Sequence, residues 1–158
     1  MLPLPRGWGV WAMKPKRRRG MPGIIWLIVL LVLAGLAFIR FAPSNPARWH
    51  IDPLVTANQD LVDGVRRRVA GDAEALAQLH AIILETPRTE VLSGSPAQGH
   101  VTYVTRSRWF GFPDYTTVLL EDGRIGIWAR LRFGKSDLGV NRARVDAWLA
   151  ELDARRGS

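Results

Sequence analysis

The sequence predicts an α+β protein: a single N-terminal transmembrane helix, then a small domain in which a four-stranded antiparallel meander packs on two helices. Three observations point there. From Met21 to Ile39 no residue is charged, and about 20 mainly apolar residues are enough for a helix to cross the hydrocarbon core. Further on, two stretches with apolar residues at helical spacing flank a region that alternates like strand. With that order of elements, both helices can cover one apolar face of the sheet.

The charge of the chain is informative only once it is located. There are 22 Lys and Arg against 14 Asp and Glu, a formal charge of +8, which invites a nucleic-acid partner if the cations share a folded surface. Seven of them, Arg6, Lys14, Lys16, Arg17, Arg18, Arg19 and Arg40, fall in residues 1–41, where there is no acid. The 117 residues beyond Phe41 carry 15 bases and 14 acids, so a phosphate-attracting domain surface is not expected and nucleic acid is excluded from the reading. The cations in front of the apolar run set topology instead: the N-terminus stays in the cytoplasm and everything after Phe41 lies outside. A cleaved signal peptide would share the basic flank and the small residues Ala34, Gly35 and Ala37. The run continues through Phe38 and Ile39, longer than the usual h-region, which favours a retained anchor. Met13 is an alternative start that leaves this topology unchanged. The absence of cysteine excludes disulfides, CxxC redox chemistry and thiolate metal sites.

Residues 1–20, rich in Pro, Gly and cations, are expected to be a disordered cytoplasmic tail, with Trp8 and Trp11 within reach of headgroups. Residues 21–41 form the transmembrane helix. The prolines of Ala42-Pro43-Ser44-Asn45-Pro46 favour an extended exit, Trp49 reads as an interfacial anchor and His50 as an ordinary polar neighbour. Residues 42–71 are expected as an irregular extracytoplasmic linker, in which Arg66-Arg67-Arg68 is a solvated charge run near Asp60 and Asp63. The α+β domain is expected over 72–158. Asp72 is placed to cap a helix whose stripe is Leu76, Leu79 and Ile83 and which Pro87 ends, with His80 packed beside the stripe.

Four strands follow: Glu90 to Leu92, Val101 to Arg108, Tyr115 to Leu120 and Arg124 to Phe133, separated by turns rich in Gly, Pro, Ser and Asp. The last alternates most clearly, with Ile125, Ile127, Ala129, Leu131 and Phe133 on one face and Arg124, Gly126, Trp128, Arg130 and Arg132 on the other. Val145, Trp148, Leu149 and Leu152 form the stripe of a closing helix, on which Glu151 and Arg155 are an i, i+4 pair.

Strand parity places Arg106 with Arg108, and Arg130 with Arg132. If the two faces coincide, four guanidiniums beside Trp128 could hold a carboxylate, phosphate or lipid headgroup. The alternative is structural: Asp114 and Asp137, in loops next to these strands, pair with the arginines, and Asn141 serves as a further polar partner. No HExxH, GxSxG, Walker A or GxGxxG motif is present. Ser107, Ser136, His50 and His100 have no spacing that marks a hydrolase, and His50, His80 and His100 are too scattered to mark a metal site. No catalytic residue, metal or cofactor is assigned.

The stretches Thr105-Arg106-Ser107-Arg108-Trp109-Phe110-Gly111-Phe112-Pro113-Asp114-Tyr115 and Arg130-Leu131-Arg132-Phe133-Gly134-Lys135-Ser136-Asp137-Leu138-Gly139-Val140-Asn141-Arg142 are long and specific. With the Val145 to Trp148 helix, Ala42-Pro43-Ser44 and Arg48-Trp49-His50, they resemble the bacterial domain-of-unknown-function family DUF1499 over roughly residues 42–152. Relatives often carry a serine and an arginine before the second arginine motif, where this chain has Ala129-Arg130-Leu131-Arg132, so no serine role carries over. The resemblance implies a membrane-associated bacterial protein and transfers no activity. The expected location is the inner membrane, with the domain in the periplasm. A binding or structural module is expected, in contact with the bilayer and, through the arginine face, with an anionic ligand, a lipid headgroup or another envelope protein. A membrane-anchored hydrolase using Asp114 or Asp137 and a structural subunit of an envelope complex are the alternatives.

Overall fold

The computed structural model describes residues 21–157, and the expected tail over 1–20, with Trp8 and Trp11, lies outside them. The chain divides into two units between Ala34 and Gly35. Helix α1 (Met21–Phe41) begins in the first and ends in the second. Over Gly23–Phe41 it is long and apolar enough to cross a membrane. Trp26 is 70% and Leu30 64% exposed, so its apolar surface is not covered by the rest of the described residues.

The second unit continues with a short helix α2 (Pro46–Trp49), strands β1 (Gln59–Leu61) and β2 (Gly64–Ala70), and helix α3 (Ala73–Glu85). Strands β3 (Thr89–Ser95), β4 (His100–Arg106), β5 (Pro113–Glu121) and β6 (Arg124–Leu131) follow, and helix α4 (Val140–Gly157) closes the chain. All neighbours in the sheet are antiparallel, in the order β1-β2-β6-β5-β4-β3. The expected meander of four strands is therefore part of a sheet of six, and residues 42–71 are not an irregular linker.

The two additional strands were hidden by the three arginines. Strand β2 pairs with β6 along its whole length, from Gly64 opposite Arg130 to Ala70 opposite Arg124. Val65 enters the core. Arg67, on the same face, donates to Asp146 at 2.7 Å and contacts Asp60 at 2.8 Å. Arg66 points the other way, its guanidinium carbon 4.7 Å from the centre of the Trp128 ring. What reads as a solvated charge run is a strand with a use for cations on both faces.

Helices α3 and α4 cover one face. Leu76, Leu79 and Ile83 of α3 and Val145, Trp148 and Leu152 of α4 pack on Val65, Val101, Tyr103, Val118, Ile125, Ile127 and Ala129. Asp72 caps α3 by accepting from the Ala75 amide at 2.8 Å, and His80 reaches the Tyr103 hydroxyl at 2.8 Å. The Trp148 indole donates to Thr86 Oγ1 at 2.7 Å, so the aromatic is buried without losing its hydrogen bond.

The opposite face is covered by the chain that follows α1. Trp49 is 9% exposed and stacks on Tyr115, with ring centroids 3.9 Å apart and planes at 12°. It is thus a packed residue of a second, smaller core with Val104, Tyr115 and Leu92, not an interfacial anchor. Further along this strap Val55 lies over Gly126. The strap lies against Gly94 (φ +80), where a Cβ would collide with the His100 carbonyl and stand 2.8 Å from His50 Cε1.

Candidate functional site

The strap face holds three of the four arginines singled out from strand parity. Registers pair Tyr115 with Arg130, Thr117 with Trp128 and Arg106 with Pro113, so Arg106, Trp128 and Arg130 leave the sheet on the side away from α3 and α4. Arg132 continues the parity of β6, and its Nη1 reaches the Tyr115 hydroxyl at 3.1 Å. Arg108 lies beyond the end of β4, exposed, with its guanidinium carbon 5.1 Å from the Trp109 ring centre.

These guanidiniums grip the backbone of the strap. Arg106 Nη1 donates to the Arg40 carbonyl at 3.1 Å. Arg132 Nη1 donates to the Pro43 carbonyl at 3.1 Å and reaches the Ala42 carbonyl at 3.5 Å. Arg130 Nη2 donates to the Trp49 carbonyl at 2.8 Å. A helix C-terminus leaves carbonyls without intrahelical donors and carries partial negative charge. Arg106 and Arg132 answer both needs where α1 ends.

Arg130 is the most committed of the set. It is 6% exposed, with its guanidinium carbon 3.9 Å from the centre of Trp128 and 5.3 Å from that of Trp49. Burial, and after it the charge of Arg66, pulls the group down to about 10, so it remains a cation at neutral pH. Its Nη1 donates to Thr117 Oγ1 at 3.2 Å. Thr117 in turn donates to the Trp49 carbonyl at 3.2 Å and accepts from Thr102 at 3.2 Å. With the Thr102 proton so used, His50 must present Nδ1–H to Thr102 Oγ1, 3.0 Å away. The chain from His50 through the two threonines to Arg130 thus fixes a tautomer as well as a backbone.

A family model described as a protein of unknown function (DUF1499) matches residues 43–152, which takes in the strap from Pro43, the whole sheet and most of α4. The chain belongs to the DUF1499 family. No curated protein matches it. The match begins two residues after α1 ends, so the strap is part of the DUF1499 domain and not a spacer in front of it.

The two acids expected in loops of this DUF1499 domain are engaged elsewhere than expected, and Asp114 lies within β5, between Thr105 and Leu131 of its neighbours. Asp114 meets Arg144 of α4 at 3.4 Å, and Asp137 accepts from the amides of Gly139 at 2.9 Å and Asn141 at 3.0 Å, capping the start of α4. Among the described residues neither acid pairs with Arg106, Arg108, Arg130 or Arg132. Burial pushes the Asp114 carboxyl up, and Arg144 opposes that shift. Asn141 is fully buried and accepts from Arg144 Nη1 at 2.9 Å. Its side chain, after Arg144, also works against the rise at Asp114.

The serines are loop fasteners: Ser107 Oγ accepts from the Phe112 amide at 2.9 Å, and Ser136 Oγ from the Leu138 amide at 3.2 Å. His50 and His100, remote in sequence, stack with centroids 3.8 Å apart, whereas His80 lies on the helix side with Tyr103. Among the described residues no group of three His, Cys, Asp or Glu could hold a metal ion. The sequence misplaces Trp49 and Arg66 and gives no signal for Thr117 and Tyr115, because their contacts cross tens of residues. The one local signal was the proline-flanked Arg48-Trp49-His50.

Proposed function

We propose that this protein is a single-pass protein of the bacterial inner membrane with its N-terminus in the cytoplasm and its DUF1499 domain in the periplasm. The domain serves as a binding or structural module fastened to its own anchor. The observation that carries this reading is the grip of Arg106, Arg130 and Arg132 on the carbonyls of Arg40, Ala42, Pro43 and Trp49. A domain that only needs tethering gains nothing from three cations on its exit strap, whereas one that presents a surface close to the bilayer needs its first residues held. The engagement of Asp114 with Arg144 and of Asp137 with a helix start favours this over a hydrolase built on those acids. Anion or headgroup contact then falls to the outer edge of the arginine face, where Arg108 is exposed.

Orientation follows from the cations Lys14 to Arg19 in front of the apolar helix, with Arg40 alone in its last turn. A reporter enzyme that folds only outside the cytoplasm, fused after Ser158, is expected to be active. Activity of a cytoplasm-only reporter at the same position would overturn the reading.

A further inference from the structure

The strand registers bring four connections to one end of the sheet. Leu61 pairs with Gly64, Thr89 with Thr105, Arg106 with Pro113, and Leu131 with Asp114. The β1–β2 turn, the α3–β3 turn, the β4–β5 loop and the β6–α4 loop therefore share that end. The last turn of α1 is there too: Arg106 holds the Arg40 carbonyl, and a Cβ at Gly111 (φ +69) would stand 2.9 Å from Arg40 Nη1.

Large apolar side chains are exposed on three of these connections: Val62 at 73%, Trp109 at 79%, Phe110 at 53% and Leu138 at 92%. Leu138 also has a left-handed backbone, φ 53, uncommon for a bulky residue. Two of the loops are tied together, the Asp137 amide donating to the Val62 carbonyl at 3.2 Å. Cations surround the tips: Arg88, Arg108 and Lys135 are exposed on the same connections. The exposed acids at this end are Asp63, Glu90 and Asp60, the last paired with Arg67 and Arg142, while Asp72, Glu121 and Asp122 lie at the other.

We propose that this loop end, with Val62, Trp109, Phe110 and Leu138 at its tips and Arg108 and Lys135 beside them, rests on the anionic lipid surface where α1 leaves the membrane. Aromatic and apolar residues partition into the headgroup boundary, and a negative leaflet attracts cations within a Debye length. Covalent continuity with an apolar helix, exposed apolar tips and net positive charge select a bilayer over a neutral protein partner. The proposal rests on the membrane-anchored reading.

The chain has no cysteine, so single labels can be placed in the full-length protein. Leu138→Cys and Phe110→Cys, with Asp122→Cys at the far end and Ala34→Cys inside the apolar helix, are labelled with a polarity-sensitive fluorophore. Each is placed in nanodiscs of phosphatidylcholine with or without phosphatidylglycerol, and spin-labelled lipids serve as quenchers. Labels at positions 138 and 110 are expected to be quenched at least about threefold more than the label at 122 in anionic discs. Arg108→Glu with Lys135→Glu, and neutral discs, should each reduce that difference. Labels at 138 and 110 that match the one at 122 overturn the proposal, and equal quenching in both discs overturns the choice of anionic lipid. A cross-link between two copies through position 138 without lipid quenching assigns the face to a second copy and overturns it as well. Absence of quenching at position 34 would instead mark failure of the membrane-anchored reading.

Discussion

Arg130 occupies an environment that its chemistry disfavours, a buried guanidinium with no carboxylate partner among the described residues. Two indole rings, a threonine hydroxyl and one carbonyl replace the lost water. Hydrogen bonds to a charged group contribute about 1.5 to 3 kcal/mol, and truncating a large buried side chain adds a cavity term. Arg130→Ala is therefore expected to cost about 2 to 4 kcal/mol by denaturant unfolding. Arg130→Lys should recover little, since an ammonium cannot fork between Thr117 and Trp49 while stacking on Trp128; a fully restored midpoint with lysine would contradict the assigned geometry. In the sequence, strand parity was enough to put Arg130, Arg132 and Arg106 on one side of the sheet. It could not say what covers them, because the covering residues lie some 80 positions away, as between Trp49 and Arg130. The acids were misassigned for a related reason: Asp114 and Asp137 are near the arginines in sequence, but α4 brings Arg144 to the first and its own free amides to the second.

At the scale of the element, the strap is a cover laid on the far face of the six-stranded sheet, and the stacked pair His50 and His100 marks where it meets β4. Burial, and after it the charge of His50, holds the His100 imidazole below the usual histidine range; the backbone at Ile51 and the charge of Asp52 act weakly the other way. His80, under α3, is also lowered by burial. A lowered folded-state value means that the unfolded chain binds the proton more readily. Stability is then full above the unfolded value of about 6.5 and falls as pH drops through it. Melting temperature is expected to fall between about pH 7 and pH 5, and His100→Gln should flatten part of that slope and leave the His80 part. A slope that His100→Gln leaves unchanged would remove the pair from the account. The elements with regular patterns were legible in advance: the α3 stripe, its Asp72 cap, the α4 stripe and the alternation of β6. Strands β1 and β2 were not, because Val65 and Val69 are separated by arginines that look like surface until Trp128 and Asp146 are in place.

Across the whole domain the two ends of the sheet differ. One carries the end of α1, exposed apolar tips and most of the exposed cations, and the other carries the Glu121-Asp122 hairpin and the Asp72 cap. Arg106, Arg130 and Arg132 fasten the strap to the sheet from the end of α1 to Trp49, and the proposed role of the domain depends on that fastening. Native-state hydrogen exchange on the full-length chain in nanodiscs reads that fastening directly, because the strap amides of Arg48 and His50 bond to the Asn45 and Pro46 carbonyls of one short turn and are protected only while the strap is held. Those amides are expected to be protected in the native protein and to exchange about tenfold faster or more in an Arg106→Gln, Arg130→Gln, Arg132→Gln variant, with α3 and α4 unchanged. Unprotected strap amides in the native protein, or protection that survives all three substitutions, would contradict the account.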